Sequence, residues 1–155
     1  MKKILLIAFL SFFLFNNTKA QGNSTGKFSN SFIEWNFGVA YLSEDDFFFP
    51  GTSVLWGRTH IYENNLIFEY EGGFSIPSIV TGKLGMGIKL NNTRVIMGVR
   101  PYPFNLYLQS SFTNGKKGYW IVSIEYNPLD ADASISFLSK AILNLGFRWD
   151  ITKYK

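Results

Sequence analysis

Ala141-Ile-Leu-Asn-Leu-Gly-Phe-Arg-Trp-Asp-Ile151 is the stretch that decides the fold of this chain. Its odd-numbered positions are all apolar, whereas most of its even-numbered positions are small, polar or charged. Successive side chains of a β-strand point to opposite faces, so a strand here has one apolar face and one largely polar face. A helix, with about 3.6 residues per turn, would spread both sets around its surface. The alternation therefore predicts a strand.

The same alternation recurs along the chain in segments of roughly ten residues that are separated by turn residues. The predicted strands cover residues 32–41, 53–62, 66–74, 80–89, 94–100, 104–112, 120–126 and 141–151. Asn91-Asn92 and Asn114-Gly115 are hairpin signals, because such residues tolerate the positive φ of tight turns. Eight strands without a convincing helix predict an all-β fold, an eight-stranded antiparallel up-and-down barrel.

The amino-terminal residues 1–20 read as a secretory signal peptide. Lys2 and Lys3 precede the apolar run 4–15, and Thr18-Lys19-Ala20 supplies a small-x-small cleavage site. Residues 21–30 are polar and predict a flexible lead-in, and residues 31–155 predict a single β-barrel domain. Removing residues 1–20 lowers the formal charge from +4 to +1. This small charge gives no support for nucleic-acid binding, and the chain has no cysteine for disulfides.

Aromatic content indicates which strand face is outside. The chain has 16 Phe, 8 Tyr and 4 Trp, and many of them lie on the apolar strand faces. The lumen of an eight-stranded barrel is just wide enough for ordinary side chains, so this set does not fit inside. We therefore expect the apolar faces to meet lipid, which makes the predicted fold a transmembrane β-barrel. A soluble lipocalin-like barrel that binds a small ligand is the alternative with the opposite orientation.

The polar strand faces carry a balanced set of charges. Outside the second strand they hold five acids and five bases, as a sealed lumen of paired ions requires. We predict a lumen ion-pair network of Glu34, Glu69, Glu71, Lys83, Lys89, Arg94, Arg100, Glu125, Arg148 and Asp150.

The second strand alternates least clearly. Arg58 and His60 share a face with Trp56 and Tyr62. If this face points outward, a charge meets lipid, and if it points inward, a bulky Trp enters the lumen. A charge that faces mid-membrane lipid costs about 2–4 kcal/mol. We therefore predict that the face with Arg58 and His60 turns inward.

The carboxy-terminal strand resembles the sorting signal of bacterial outer-membrane barrels, with Asn144, Gly146, Trp149 and Ile151 at the signal positions. The chain as a whole resembles the small eight-stranded outer-membrane proteins typified by the OmpA transmembrane domain and OmpX. The resemblance covers residues 31–151 and concerns architecture. It implies a location in the cell outer membrane and contact with outer-membrane lipid, lipopolysaccharide and the barrel-assembly machinery.

The expected function is structural, with surface interaction through loops. Residues 42–51 and 127–136 form the two longest predicted loops, and either could meet an extracellular partner. A narrow solute conduit is an alternative function, and a lipid A-modifying enzyme is another that rests on His60 alone. Cysteine is lacking and histidine occurs once, so we expect no metal, no cofactor and no catalytic site.

Overall fold

A computed structural model describes residues 28–42, 47–113, 118–129 and 139–154. The strands in chain order are β1 (Phe28–Leu42), β2 (Phe47–Ile61), β3 (Leu66–Ile76), β4 (Ile79–Leu90), β5 (Thr93–Arg100), β6 (Asn105–Thr113), β7 (Gly118–Tyr126) and β8 (Ala141–Tyr154). Each strand pairs antiparallel with the next, and β1 pairs with β8 to close the barrel. The predicted eight-stranded antiparallel barrel is confirmed.

Several strands are longer than the alternation predicted. β1 starts at Phe28, so residues 28–30 are strand and not lead-in, because they pair with the end of β2. β2 starts at Phe47, so residues 47–51 of the predicted loop 42–51 are strand, paired with the end of β1. The signal peptide, residues 43–46, the Asn114-Gly115 turn and residues 130–136 of the other predicted loop lie outside the described residues.

The short turns lie where turn residues were predicted. Asn91 has a φ of 49° between β4 and β5, which confirms the expected Asn-Asn hairpin. Asn65, with a φ of 62°, closes the turn between β2 and β3. These turns lie at the end where β1 begins and β8 ends, which we name the lower end. The opposite end is the upper end.

The barrel has apolar residues outside and charged residues inside. On the outer wall, Phe68, Leu106 and Leu143 are 36%, 44% and 60% exposed. In the lumen, Glu69 and Arg148 are 2% and 0% exposed. The predicted orientation of these strand faces is therefore confirmed.

Small residues make room in the lumen. The ring of Tyr107 lies against Gly85 and Gly98, where an added Cβ would collide with it. Tyr107 packs with Ile61, Ile67 and Ile96 into an apolar cluster. The lumen therefore combines this apolar cluster with a charged cluster.

Candidate functional site

Arg148 on β8 is fully buried in the lumen between two carboxylates. Its guanidinium donates to Glu34 from Nε at 2.9 Å and also from Nη2. It donates to both oxygens of Glu69, from Nη1 and Nη2, at 2.7 Å each. The guanidinium carbon lies 3.7 Å from the centroid of the Phe32 ring. Such planar, multidentate pairing is the strong form of a charge-assisted hydrogen bond.

Lys83 on β4 is a second buried cation, 1% exposed. Its Nζ lies 3.4 Å from Glu71, 3.7 Å from Glu34 and 3.8 Å from Glu125. Because it contacts three carboxylates, Lys83 links the Arg148 group to the acid on β7. The amide oxygen of Gln109 lies 3.4 Å from the same ammonium.

Arg100 on β5 completes this group, with Nη2 2.7 Å from Glu125 Oε1. The amide of Asn144 donates to the same oxygen at 2.9 Å. We name as the lumen cluster the seven ionisable side chains that these contacts join: Glu34, Glu69, Glu71, Lys83, Arg100, Glu125 and Arg148.

The lumen cluster holds four carboxylates against three cations. Both carboxylate oxygens of Glu69 have hydrogen-bond donors, because Arg148 donates to each of them. Thr59 Oγ1 also donates to Glu69, at 2.6 Å. Glu71 is the least supported acid, because its Oε2 has no hydrogen-bond partner and lies 3.8 Å from Arg148. A buried charge without a partner is costly. Glu71 is therefore the carboxylate at which the excess negative charge is least stabilised.

The other three predicted network residues lie apart from the lumen cluster. Arg94 is buried, donates to the Tyr119 hydroxyl at 2.6 Å and has its guanidinium carbon 4.0 Å from that ring's centroid. Asp150 is half-buried on the inner face of β8. The prediction for Lys89 is wrong, because its side chain is exposed. It occupies an inward position of β4 that lies beyond the lumen, next to the Asn91 hairpin.

The predicted assembly-signal residues divide between the two faces of β8. Asn144 and Gly146 point inward, and an added Cβ at Gly146 would collide with the Asn36 amide. Trp149 and Ile151 point outward and are exposed. Their recognition by an assembly machinery stays a prediction.

The predicted orientation of the second strand is wrong. Leu55, Gly57 and Thr59 point into the lumen, whereas Arg58 is exposed on the outer wall and Trp56 is 68% exposed. Arg58 is three residues from the lower end of β2, and the cost of an outward charge falls to about 0–1 kcal/mol near a membrane interface. The mid-membrane cost used for the prediction therefore did not apply.

Neutral polar residues that were not predicted also support the lumen cluster. Asn36 donates to Glu34 at 2.8 Å, and Thr59 and Gln109 contact Glu69 and Lys83. All three lie on the same alternating inner positions as the charged residues. A search that included amides at the predicted inner positions would have found Asn36 and Gln109, whereas Thr59 lies on the face of β2 that was predicted to point outward.

A cavity of about 140 Å³ lies near the upper end, lined by small residues such as Gly38, Ala40 and Ser53. Arg100 and Asn144 also line it, and both bond to Glu125. The described residues contain no group of three His, Cys, Asp or Glu that could hold a metal ion. Nor does the described part of the chain contain a helix long and apolar enough to cross a membrane.

The geometry defines a closed eight-stranded antiparallel barrel with a charged lumen and an apolar outer wall. A scan against protein-family models finds no match, and a search of curated proteins finds no similar sequence. Among solved structures, the chain is similar to one described as "De novo design of transmembrane beta-barrels". The TM-score is 0.46 and the identity 12%, over 77% of this chain and 95% of that chain.

Proposed function

We propose that the chain is an outer-membrane β-barrel with a side-chain-filled lumen, and that it acts as a structural platform for surface interaction. The observation that carries this proposal is the orientation of its side chains. Trp35, Phe37 and Leu145 are about half exposed on the outer wall, whereas Glu34 and Arg148 are fully buried. Leaving one large apolar side chain in water forgoes about 1.5–3 kcal/mol, so a wall of them favours lipid as the surrounding solvent.

The lumen supports a platform over a conduit. Lys83, Arg148 and their carboxylates occupy the barrel interior and are all buried, at most 8% exposed. Solute passage would require these ion pairs to separate, and a separated buried charge is costly. We therefore propose a structural role and a role in surface interaction, and not a role in transport.

The upper end is the proposed interaction surface. It joins β1 to β2 and β7 to β8 through the loops predicted to meet an extracellular partner. The resemblance to small outer-membrane barrels supports this orientation, with both ends of the barrel domain on the periplasmic side. Export through the signal peptide, contact with lipopolysaccharide and delivery by the barrel-assembly machinery belong to the same proposal.

We propose no catalytic role for His60. Its ring stacks on Tyr70 with centroids 6.0 Å apart on the outer wall. Ser29 is its cross-strand partner, but the Ser29 hydroxyl has no hydrogen-bond partner. A nucleophile needs a base within hydrogen-bond reach, so this pair does not support a lipid-modifying activity.

Membrane fractionation combined with detergent gel electrophoresis tests the proposal. We expect recovery in the outer-membrane fraction and a shift in mobility between unheated and boiled samples, because a folded barrel resists detergent. Recovery as a soluble periplasmic protein without such a shift would refute the membrane proposal. Steady conductance in a planar bilayer would instead favour the conduit.

A further inference from the structure

Side chains do not fill the upper end of the lumen. Ala40, Leu42 and Ile142 point inward there but are only half-buried. Leu55, deeper in the lumen, is 0% exposed. The cavity of about 140 Å³ lies between these upper residues and Arg100 of the lumen cluster. A cavity of about 150 Å³ holds a molecule of the size of benzene, so the upper lumen has room for a small ligand.

The wall of this cavity is largely apolar. Leu42, Phe49 and Ile142 line it from β1, β2 and β8. Pro77, in the turn between β3 and β4, and Pro103, just before β6, line it from the other strands. These side chains offer van der Waals contact and carry no charge. The wall therefore fits the apolar body of a ligand.

Arg100 supplies a hydrogen-bond donor at the floor of the cavity. It is 7% exposed, and its Nη2 donates to Glu125 at 2.7 Å. Its Nε has no hydrogen-bond partner among the described residues. The guanidinium has donors and no acceptor, and buried polar groups in proteins are nearly always hydrogen-bonded. A ligand that pairs with Nε must therefore carry an acceptor atom.

Charge favours a neutral ligand over an ion. The lumen cluster has four carboxylates and three cations, and Arg100 contacts one of these carboxylates, Glu125. An anionic ligand would add to the excess negative charge and would lose its hydration among apolar side chains, which is costly. A cationic ligand would be repelled by the guanidinium of Arg100 at the floor.

We propose that the upper lumen cavity binds a neutral small molecule that has an apolar body of the size of a benzene ring and one hydrogen-bond acceptor, such as a carbonyl oxygen. Arg100 Nε donates to the acceptor, and Leu42, Phe49 and Ile142 contact the apolar body. This inference goes beyond the proposed function, because it requires the closed barrel and not the surrounding membrane.

Binding of acetophenone to the full chain, folded in detergent micelles, tests the proposal. Acetophenone has a phenyl ring and a carbonyl oxygen, whereas toluene lacks the acceptor and benzoate is anionic. The NMR signals of the Leu42 and Ile142 methyl groups report binding in the cavity. Those of Leu143 and Leu145, which are 60% and 56% exposed on the outer wall, report partition of the probe into the micelle.

Three variants separate the cavity from its surroundings. A40L fills the cavity, because Ala40 lines it. A141L adds the same atoms to an outward position of β8 at the same end of the barrel, and is the matched control. R100K keeps a cation beside Glu125 but removes the Nε donor.

We expect acetophenone to shift the Leu42 and Ile142 signals of wild type and A141L saturably. Toluene and benzoate should bind wild type at least about tenfold more weakly, as should acetophenone to R100K, because each lacks one favourable hydrogen bond or adds a charge. A40L should lose at least about tenfold because the ring no longer fits.

Equal affinity of wild type and A40L for acetophenone would overturn the proposal, and so would equal affinity of wild type and R100K. Equal affinity of wild type for acetophenone and toluene would overturn the need for an acceptor. Tighter binding of benzoate would overturn the choice of a neutral ligand.

The heat-dependent gel shift separates this proposal from the membrane proposal. If wild type shows the shift but its cavity signals do not respond to acetophenone, only the ligand site fails. If wild type shows no shift and stays soluble without detergent, the membrane proposal fails, and the same titration in buffer decides the ligand site. Each variant must show the wild-type behaviour on the gel. If one does not fold, the comparison of the three probes on wild type decides.

Discussion

Arg148 joins carboxylates that come from β1 and β3 and is separated from Glu34 by 114 positions in the sequence. Alternation along each strand predicted that both residues point inward. It could not predict that they meet, because pairing around a barrel depends on the stagger of the strands, which alternation does not encode. The same reason explains why Lys89 was assigned to the network although β4 carries it to the rim.

Arg148→Met should destabilise the barrel strongly. Glu34 and Glu69 would lose their shared cation in a buried site, and breaking a buried ion pair costs about 3–5 kcal/mol. Urea titration of the barrel folded in lipid vesicles, followed by tryptophan fluorescence, measures the change in the free energy of unfolding. Lys89→Gln is the control and should change it by about 0.5 kcal/mol or less. Equal effects of the two substitutions would contradict the described cluster.

Glu71→Gln should be tolerated, whereas Glu69→Gln should not. The lumen cluster has one more acid than base, and Glu71 Oε2 has no hydrogen-bond partner. Glu69 accepts two hydrogen bonds from Arg148 and one from Thr59. An amide nitrogen at position 69 would face these donors, so we expect a loss of about 1.5–3 kcal/mol. The same urea titration compares both variants, and a larger loss for Glu71→Gln would show that the excess charge lies elsewhere.

At the scale of the strand, β2 shows where alternation is insufficient. Its inward residues include Leu55 and Thr59, and its outward residues include Trp56 and Arg58, so neither face is cleanly apolar or polar. Depth in the wall decides the orientation, since Arg58 lies near the lower rim. The other strands were assigned correctly because the charged residues that each carries in the wall fall on one face.

Leu55→Ala should destabilise the barrel more than Val54→Ala. Leu55 is 0% exposed in the lumen, and removing it leaves a cavity that costs about 2–5 kcal/mol. Val54 is 50% exposed on the outer wall, where lost methyl groups cost about 0.8 kcal/mol each. Urea titration of the two variants in vesicles checks the difference. The reverse order would mean that β2 is turned the other way.

At the scale of the whole molecule, the fold follows from two requirements that act together. Eight strands can close only around a narrow lumen, and the apolar side chains are too bulky to occupy it. The charged residues must then lie inside, where each needs a partner, and the glycines and short polar residues admit them. The architecture could therefore be predicted from the sequence, whereas the contacts within the lumen cluster could not, because they depend on the stagger of the strands.

Whether lipid or water surrounds the outer wall can be tested by introducing a charge at two different depths of the wall and comparing the costs. Val122 lies at the middle of β7, and Ile88 lies two residues before the lower end of β4; both point outward. In a membrane, Val122→Arg should cost about 2–4 kcal/mol and Ile88→Arg about 0–1 kcal/mol, because an arginine near the rim reaches water. The free energy of unfolding in lipid vesicles measures both. Water around the barrel would solvate the two arginines equally. Equal and small costs would therefore refute the proposal that lipid surrounds the outer wall.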